Sequence, residues 1–281
     1  MDKHLLITVS DSPSSIDGAR FVSSFFRDKS RIKLTLVHVA PAKGQDSGFA
    51  DREPTERECK LLEDEALQSA GRFLQQNGFP AENTLCQYRS KAVSTAKDIL
   101  READRGKYDA VVLGRRGTTR LEELLGSSVS MQVLEKERNA PIWICRRIES
   151  DRTGVLLCLD GSESSLAMAD HVGFMLEGAQ EHGVTLFHVP DKTSGASGEI
   201  FSRAREALLQ NGMDASRIGE RSGSGRNVAK AIQKEAQEGS YAVVAVGYSG
   251  TGKQGVRSQS GVGSVSKKLC YDLKSHSLWI S

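Results

Sequence analysis

Apolar residues fall along this chain in short continuous runs, separated by longer stretches with helical spacing. The runs at residues 5–9, 34–39, 110–113 and 142–145 are apolar at nearly every position, the pattern of strands covered on both faces. Between them Ala66, Leu67, Ala70, Phe73 and Leu74 recur at helical spacing, as do Leu121, Leu124 and Leu125. Strands alternating with helices predict parallel pairing through crossover helices, hence an open α/β sheet. Such sheets take ligands beyond the carboxyl ends of their strands, where the strand order reverses. That rule points to the loops after Val9, Leu113, Leu159 and Val246.

The pattern occurs twice. Leu5-Leu6-Ile7-Thr8-Val9-Ser10 is echoed by Val155-Leu156-Leu157-Cys158-Leu159-Asp160, and Leu34-Thr35-Leu36-Val37-His38-Val39 by Val184-Thr185-Leu186-Phe187-His188-Val189. Ser12, Ser14 and Ser15 return as Ser162, Ser164 and Ser165. Tyr108 to Gly114 matches Tyr241 to Gly247, and Ile142-Trp143-Ile144 matches Leu278-Trp279-Ile280, all in the same order. The chain therefore reads as a duplication, with domains at 1–148 and 152–281 joined near residues 148–153. The polar stretches 41–55 and 192–198 read as surface connections. A last strand bearing Trp and Ile at a sheet edge needs a partner. Residues 142–145 are expected to meet 278–280, packing the halves as an intramolecular pseudo-dimer.

The loops after the strands ending at Leu113 and Val246 carry the candidate chemistry. Gly114-Arg115-Arg116-Gly117 is followed by Gly126-Ser127-Ser128-Val129-Ser130, with Val129 and Val133 four residues apart as at a new helix start. The second copy has Gly247 to Gly255, then Gly261-Val262-Gly263-Ser264-Val265-Ser266, with Val265 and Leu269 at the same spacing. Glycines let backbone approach an anion closely, and a helix N-terminus offers free amides with partial positive charge. Lys253 and Arg257 add to this, and Arg115 and Arg116 read equally as phosphate partners or solvated loop charges. Gly247, Gly252 and Lys253 nearly complete a P-loop, but Gln254 stands where that motif needs a metal-binding hydroxyl. His38 and His188, at one strand position in both copies, read as packed strand-end residues, and Trp143 and Trp279 as packing residues.

Composition narrows the classes. With 38% hydrophobic and 26% charged residues the chain is ordinary for a globular protein, and a formal net charge of +2 argues against a dedicated nucleic-acid binder. No apolar run approaches the roughly 20 residues that cross a bilayer, and the start lacks a signal-peptide layout, so a cytoplasmic location is expected. Cys59, Cys86, Cys145, Cys158 and Cys270 show neither a disulfide framework nor zinc-ligand spacing.

The chain resembles the universal stress protein family: a first strand ending in an acidic residue, a second ending in His-Val, and a fourth running into G-x-x-G, nine residues and G-[ST]. The resemblance spans the chain once per copy. In ATP-binding members these features hold the nucleoside, the base and the phosphates respectively. Carried over by position, it implies binding by Asp160, Val189, Gly247, Gly250, Gly263 and Ser264 in the second copy. In the first it implies Val39, Gly114, Gly117, Gly126, Ser127 and Ser128. Ser10 aligns with Asp160, eight residues separate Gly117 from Gly126, and twelve separate Gly250 from Gly263. The second copy, which keeps the acid, is the favoured site.

The resemblance implies a cytoplasmic stress-response protein that holds ATP or another adenine nucleotide, with or without Mg²⁺, as a sensor or regulator. A scaffold with degenerate nucleotide sites and a slow ATPase are the alternatives. Beside the glycine loops there is no convincing general base or Mg²⁺ ligand set, so no catalytic residue and no metal ligand is assigned. Expected partners are the nucleotide and the other half of the chain, with a homodimer as a further assembly; neither nucleic acid nor membrane is expected.

Overall fold

The computed structural model describes residues 2–10, 16–39, 56–89, 92–114, 129–136, 139–147, 152–190, 197–248 and 263–281, the side chains of 56–64 excepted. The chain divides into two compact units, residues 2–140 and 141–281.

The first unit contains β1 (Lys3–Val9), α1 (Asp17–Phe25), β2 (Ile32–Val39), α2 (Glu56–Gln76), β3 (Thr84–Arg89), α3 (Thr95–Gly106), β4 (Ala110–Gly114) and α4 (Val129–Leu134). Its strands lie in the order β3-β2-β1-β4 and pair in parallel. Leu5, Leu6, Ile7, Leu34, Leu36, Val111 and Val112 are buried, as continuous apolar strands require when helices cover both faces. Leu67, Ala70 and Leu74 form the buried stripe of α2.

The second unit contains β5 (Ile142–Cys145), β6 (Gly154–Leu159), α5 (Glu163–Leu176), β7 (Val184–His188), α6 (Ser197–Gln210), β8 (Ile218–Ser222), α7 (Val228–Glu238), β9 (Tyr241–Val246), α8 (Ser264–Asp272) and β10 (Ser277–Ile280). The strand order is β5-β10-β9-β6-β7-β8, parallel throughout except where β10 meets β5. The order reverses at β6, which has β7 on one side and β9 on the other. That is where the strand-end rule puts a ligand crevice.

Two polar strands escaped the apolar pattern. β3 and β8 are outermost in their units' strand orders and are mostly solvent-facing, with Ile218 the one buried side chain between them. Their sequences, Thr-Leu-Cys-Gln-Tyr-Arg and Ile-Gly-Glu-Arg-Ser, show no apolar run because neither face is well covered.

β5 is the last strand of the first copy in sequence, yet it lies in the second compact unit. There it pairs antiparallel with β10 in the register Ile142↔Ile280, Trp143↔Trp279 and Ile144↔Leu278. The Trp143 and Trp279 rings stack 3.9 Å apart and 4° from parallel, both fully buried. Trp143 Nε1 donates to His171 Nε2 at 3.1 Å. Cys145, Cys158 and Cys270 are buried thiols, and Cys86 is exposed.

Candidate functional site

The strand β6 delivers Leu159 and then Asp160 to the carboxyl end of the sheet. Gly161 follows at φ +81°, a backbone region that costs a side-chain-bearing residue strain, and the chain turns there into α5. The Asp160 carboxylate accepts from the Ser162 amide at 3.0 Å and from its hydroxyl at 2.6 Å. Ser162 Oγ in turn accepts from the Ser165 amide at 3.2 Å, capping the helix. The acid and the helix start are thus one hydrogen-bonded unit.

Beside it, β9 ends at Val246 and passes through Gly247. A methyl on Gly247 would lie 2.7 Å from Ser164 Oγ and 2.8 Å from the Ser165 nitrogen. The glycine therefore lets the strand exit press against the α5 N-terminus, a packing demand that exists apart from any ligand. Ser266, in the first turn of α8, donates to the Gly247 carbonyl at 2.8 Å.

These elements enclose a cavity of about 120 Å³. One water needs only about 10–15 Å³ by that measure, so the space suits an organic group. Its walls are Leu159, Phe187, Val189, Val228, Ile232, Val246 and Val265, and its polar edge carries Asp160, Ser165, Ser264 and Ser266. Cys158 also lines it, and burial pushes this thiol up from its ordinary value, so it is a neutral wall and not a nucleophile. The first turns of three helices face the space: Ser165 of α5, Val228 of α7 and Ser264 to Ser266 of α8. Each presents amides that lack an intrahelical partner, and together they favour negative charge at the rim.

Of the residues carried over for the second copy, Asp160, Val189, Gly247, Gly263 and Ser264 come together in this one cavity. Gly250 lies outside the described residues, with Lys253 and Arg257. In the first unit Val39 ends β2 and Gly114 ends β4, both half-buried. Ser10, exposed, holds the place that Asp160 has in the second. Gly117, Gly126, Ser127 and Ser128 lie outside the described residues, as do Arg115 and Arg116.

Sequence reasoning missed Phe187, Val228, Ile232 and Ser266. A signal for the α7 pair was present: Val228 and Ile232 are four apart and follow Ser222-Gly223-Ser224-Gly225, a second glycine–serine approach to a helix start. Asn227 caps that helix by accepting from the Lys230 amide at 3.0 Å. His38 and His188 are packed strand-end residues, 2% and 3% exposed, and neither lines the cavity. Among the described residues, no group of three or more His, Cys, Asp or Glu side chains is placed to hold a metal ion.

The sequence model described as the Universal stress protein family matches residues 1–146, just over half of the chain. The chain belongs to the universal stress protein family. Its fold matches a crystallised universal stress protein from Archaeoglobus fulgidus, with a TM-score of 0.71 and 15% identity, over 99% of this chain and 95% of that one. A functionally unknown protein from Pseudomonas aeruginosa matches with a TM-score of 0.60 and 12% identity, over 99% and 92% of the two chains. At such identities the likeness is one of fold, and it extends over both copies of the domain. No curated protein sequence matches the chain. Among the described residues no helix is long and apolar enough to cross a membrane.

Proposed function

We propose that this universal stress protein binds an adenine nucleotide of the ATP class in its second unit and acts as a cytoplasmic sensor or regulator in a stress response. The observation that carries this reading is the convergence on one cavity of an apolar pocket, a carboxylate and three helix N-termini. An aromatic base needs apolar walls, which Phe187, Val189, Val228 and Ile232 offer. A ribose offers hydroxyl donors to a carboxylate, the role assigned to Asp160. Phosphates need unpaired amides and hydroxyls, which Ser264 and the α8 start would supply, with Gly247 and Gly263 letting the backbone approach closely. The family resemblance assigns the same roles to Asp160, Val189, Gly247, Gly263 and Ser264. With one carboxylate at the rim, Mg²⁺ would be held chiefly by the phosphates themselves. In the first unit Ser10 gives a weaker ribose anchor than a carboxylate, so the second unit is the principal site.

The test is direct. Purified protein is denatured and the supernatant analysed for nucleotide, and the melting temperature is measured against ATP concentration. Bound ligand raises stability by RT ln(1 + [L]/Kd), so the melting temperature should climb with ATP. Asp160→Ala should weaken affinity by roughly tenfold or more, the loss of a charge-assisted hydrogen bond. No released nucleotide and no rise would favour a scaffold whose sites have decayed. Mg²⁺-dependent phosphate release that vanishes in Asp160→Ala would favour a slow ATPase.

A further inference from the structure

We infer that Ser266 is a positioning residue for this site, acting through Gly247 and not by contact with the ligand; the inference rests on the nucleotide reading above. Ser266 is 4% exposed, and its hydroxyl donates to the Gly247 carbonyl at 2.8 Å. This bond spans the gap between the two glycine segments that face the cavity, the exit of β9 and the start of α8. One residue further on, the Gly263 amide donates to the Tyr248 carbonyl at 2.8 Å, a second rung across the same gap. The Tyr248 amide donates to the Ser281 carbonyl at 2.6 Å, and the Lys267 amide to the Gly263 carbonyl at 2.9 Å. Tyr248 is thereby tied to the residue after β10, and Gly263 to the first turn of α8.

The chemistry explains why this hydroxyl matters. The Gly247 carbonyl shares its peptide plane with the Tyr248 amide, so Ser281 holds that plane from one side and the Ser266 hydroxyl from the other; glycine itself offers little steric hindrance to its rotation. If that plane swung, its carbonyl would bring partial negative charge to a rim built to receive an anion. A carbonyl already accepting from Ser266 is satisfied and fixed, and the spacing between Gly247 and Gly263–Ser264 is set before the ligand arrives. Preorganisation of this kind removes an ordering cost from binding. The other rungs are backbone to backbone, so Ser266 is the member a side-chain exchange can remove. Ser130 occupies the corresponding place in the first turn of α4 and is likewise buried, 7% exposed.

The prediction separates phosphate from base. Calorimetric titration of the full chain with ATP and with adenosine is run on the wild type, Ser266→Ala and Ser266→Thr. Ser266→Ala should weaken ATP about tenfold and adenosine less than twofold, and Ser266→Thr, which keeps the donor, should restore ATP affinity. In nucleotide-free protein the ¹⁵N–¹H resonances of Gly247 and Gly263 should shift in Ser266→Ala and return in Ser266→Thr. If Ser266→Ala does not fold, Ser266→Cys, of similar size and a weak donor, carries the same comparison. Unchanged ATP affinity would overturn the inference. So would equal losses for ATP and adenosine, or a loss of ATP affinity with the two glycine amides unmoved. A wild type that binds ATP in none of these titrations overturns the nucleotide reading itself.

Discussion

His171 lies edge-on to both stacked indoles, with ring centroids 5.9 Å from Trp143 and 6.0 Å from Trp279. Because Trp143 Nε1 is a donor only, His171 Nε2 must accept, which requires a neutral ring with its proton on Nδ1. Burial enforces this, lowering the His171 pKa from 6.5 to about 3. A depressed histidine pKa means the unfolded chain takes up a proton that the folded chain refuses. The stabilisation is therefore complete above pH 6.5 and shrinks as pH falls from there towards 3, by up to about 1.4 kcal/mol per pH unit. Between pH 7 and pH 5 the wild type should lose about 2 kcal/mol from this group alone. His171→Gln keeps an acceptor for Trp143 but cannot titrate, so its unfolding free energy should fall less over that interval. Chemical denaturation at several pH values measures the difference; parallel curves for the two proteins would show that His171 titrates alike in both states.

Among elements, those that were legible in sequence are the ones whose burial leaves an unbroken apolar signature. β1, β2, β4 and β5 read as doubly covered strands because nearly every side chain along their apolar runs is buried, whereas β3 and β8 could not, being polar edge strands held by backbone pairing. The candidate site was legible in part for the same kind of reason. Asp160, Gly247, Gly263 and Ser264 stand in a spaced motif, but Phe187, Val228 and Ile232 are apolar residues on regular elements and look like any other core position. What turns them into a site is the strand order, which no local pattern encodes. Gly247 shows the opposite ambiguity: the motif reads it as a phosphate glycine, while its contact with Ser164 and Ser165 would demand glycine anyway. The α5 start joins the two levels, because Ser162 both caps the helix and hydrogen-bonds Asp160. Ser162→Ala should cost about 1 kcal/mol of stability, the usual worth of a cap, and Ser162→Thr should recover most of it. Urea unfolding midpoints test this, and an unshifted Ala variant would mean the Ser165 amide finds another partner.

At the scale of the whole chain, the place where the duplicated sequence divides and the place where the compact units divide are different. By repeat matching the copies separate between residues 148 and 152, but the units separate at Ala140 and Pro141, so β5 goes with the second. The reason is physical: β10 ends the second copy's parallel series at Trp279 and Ile280, and without β5 it would be an open edge carrying a buried indole. Antiparallel pairing with β5 satisfies that edge and gives Trp279 its stacking partner. Two fragments tell the divisions apart. Residues 141–281 keep the whole β5-β10-β9-β6-β7-β8 order and should fold as a soluble species with a cooperative thermal transition. Residues 152–281 lack β5 and should self-associate through β10, or aggregate, since stripping a buried Trp of its neighbour costs on the order of 3–5 kcal/mol in the way a large core truncation does. Light scattering and melting curves on the two fragments make the comparison. If 152–281 were monomeric and as stable as 141–281, the strand β5 would contribute nothing to the second unit, and the repeat boundary would also be the folding boundary.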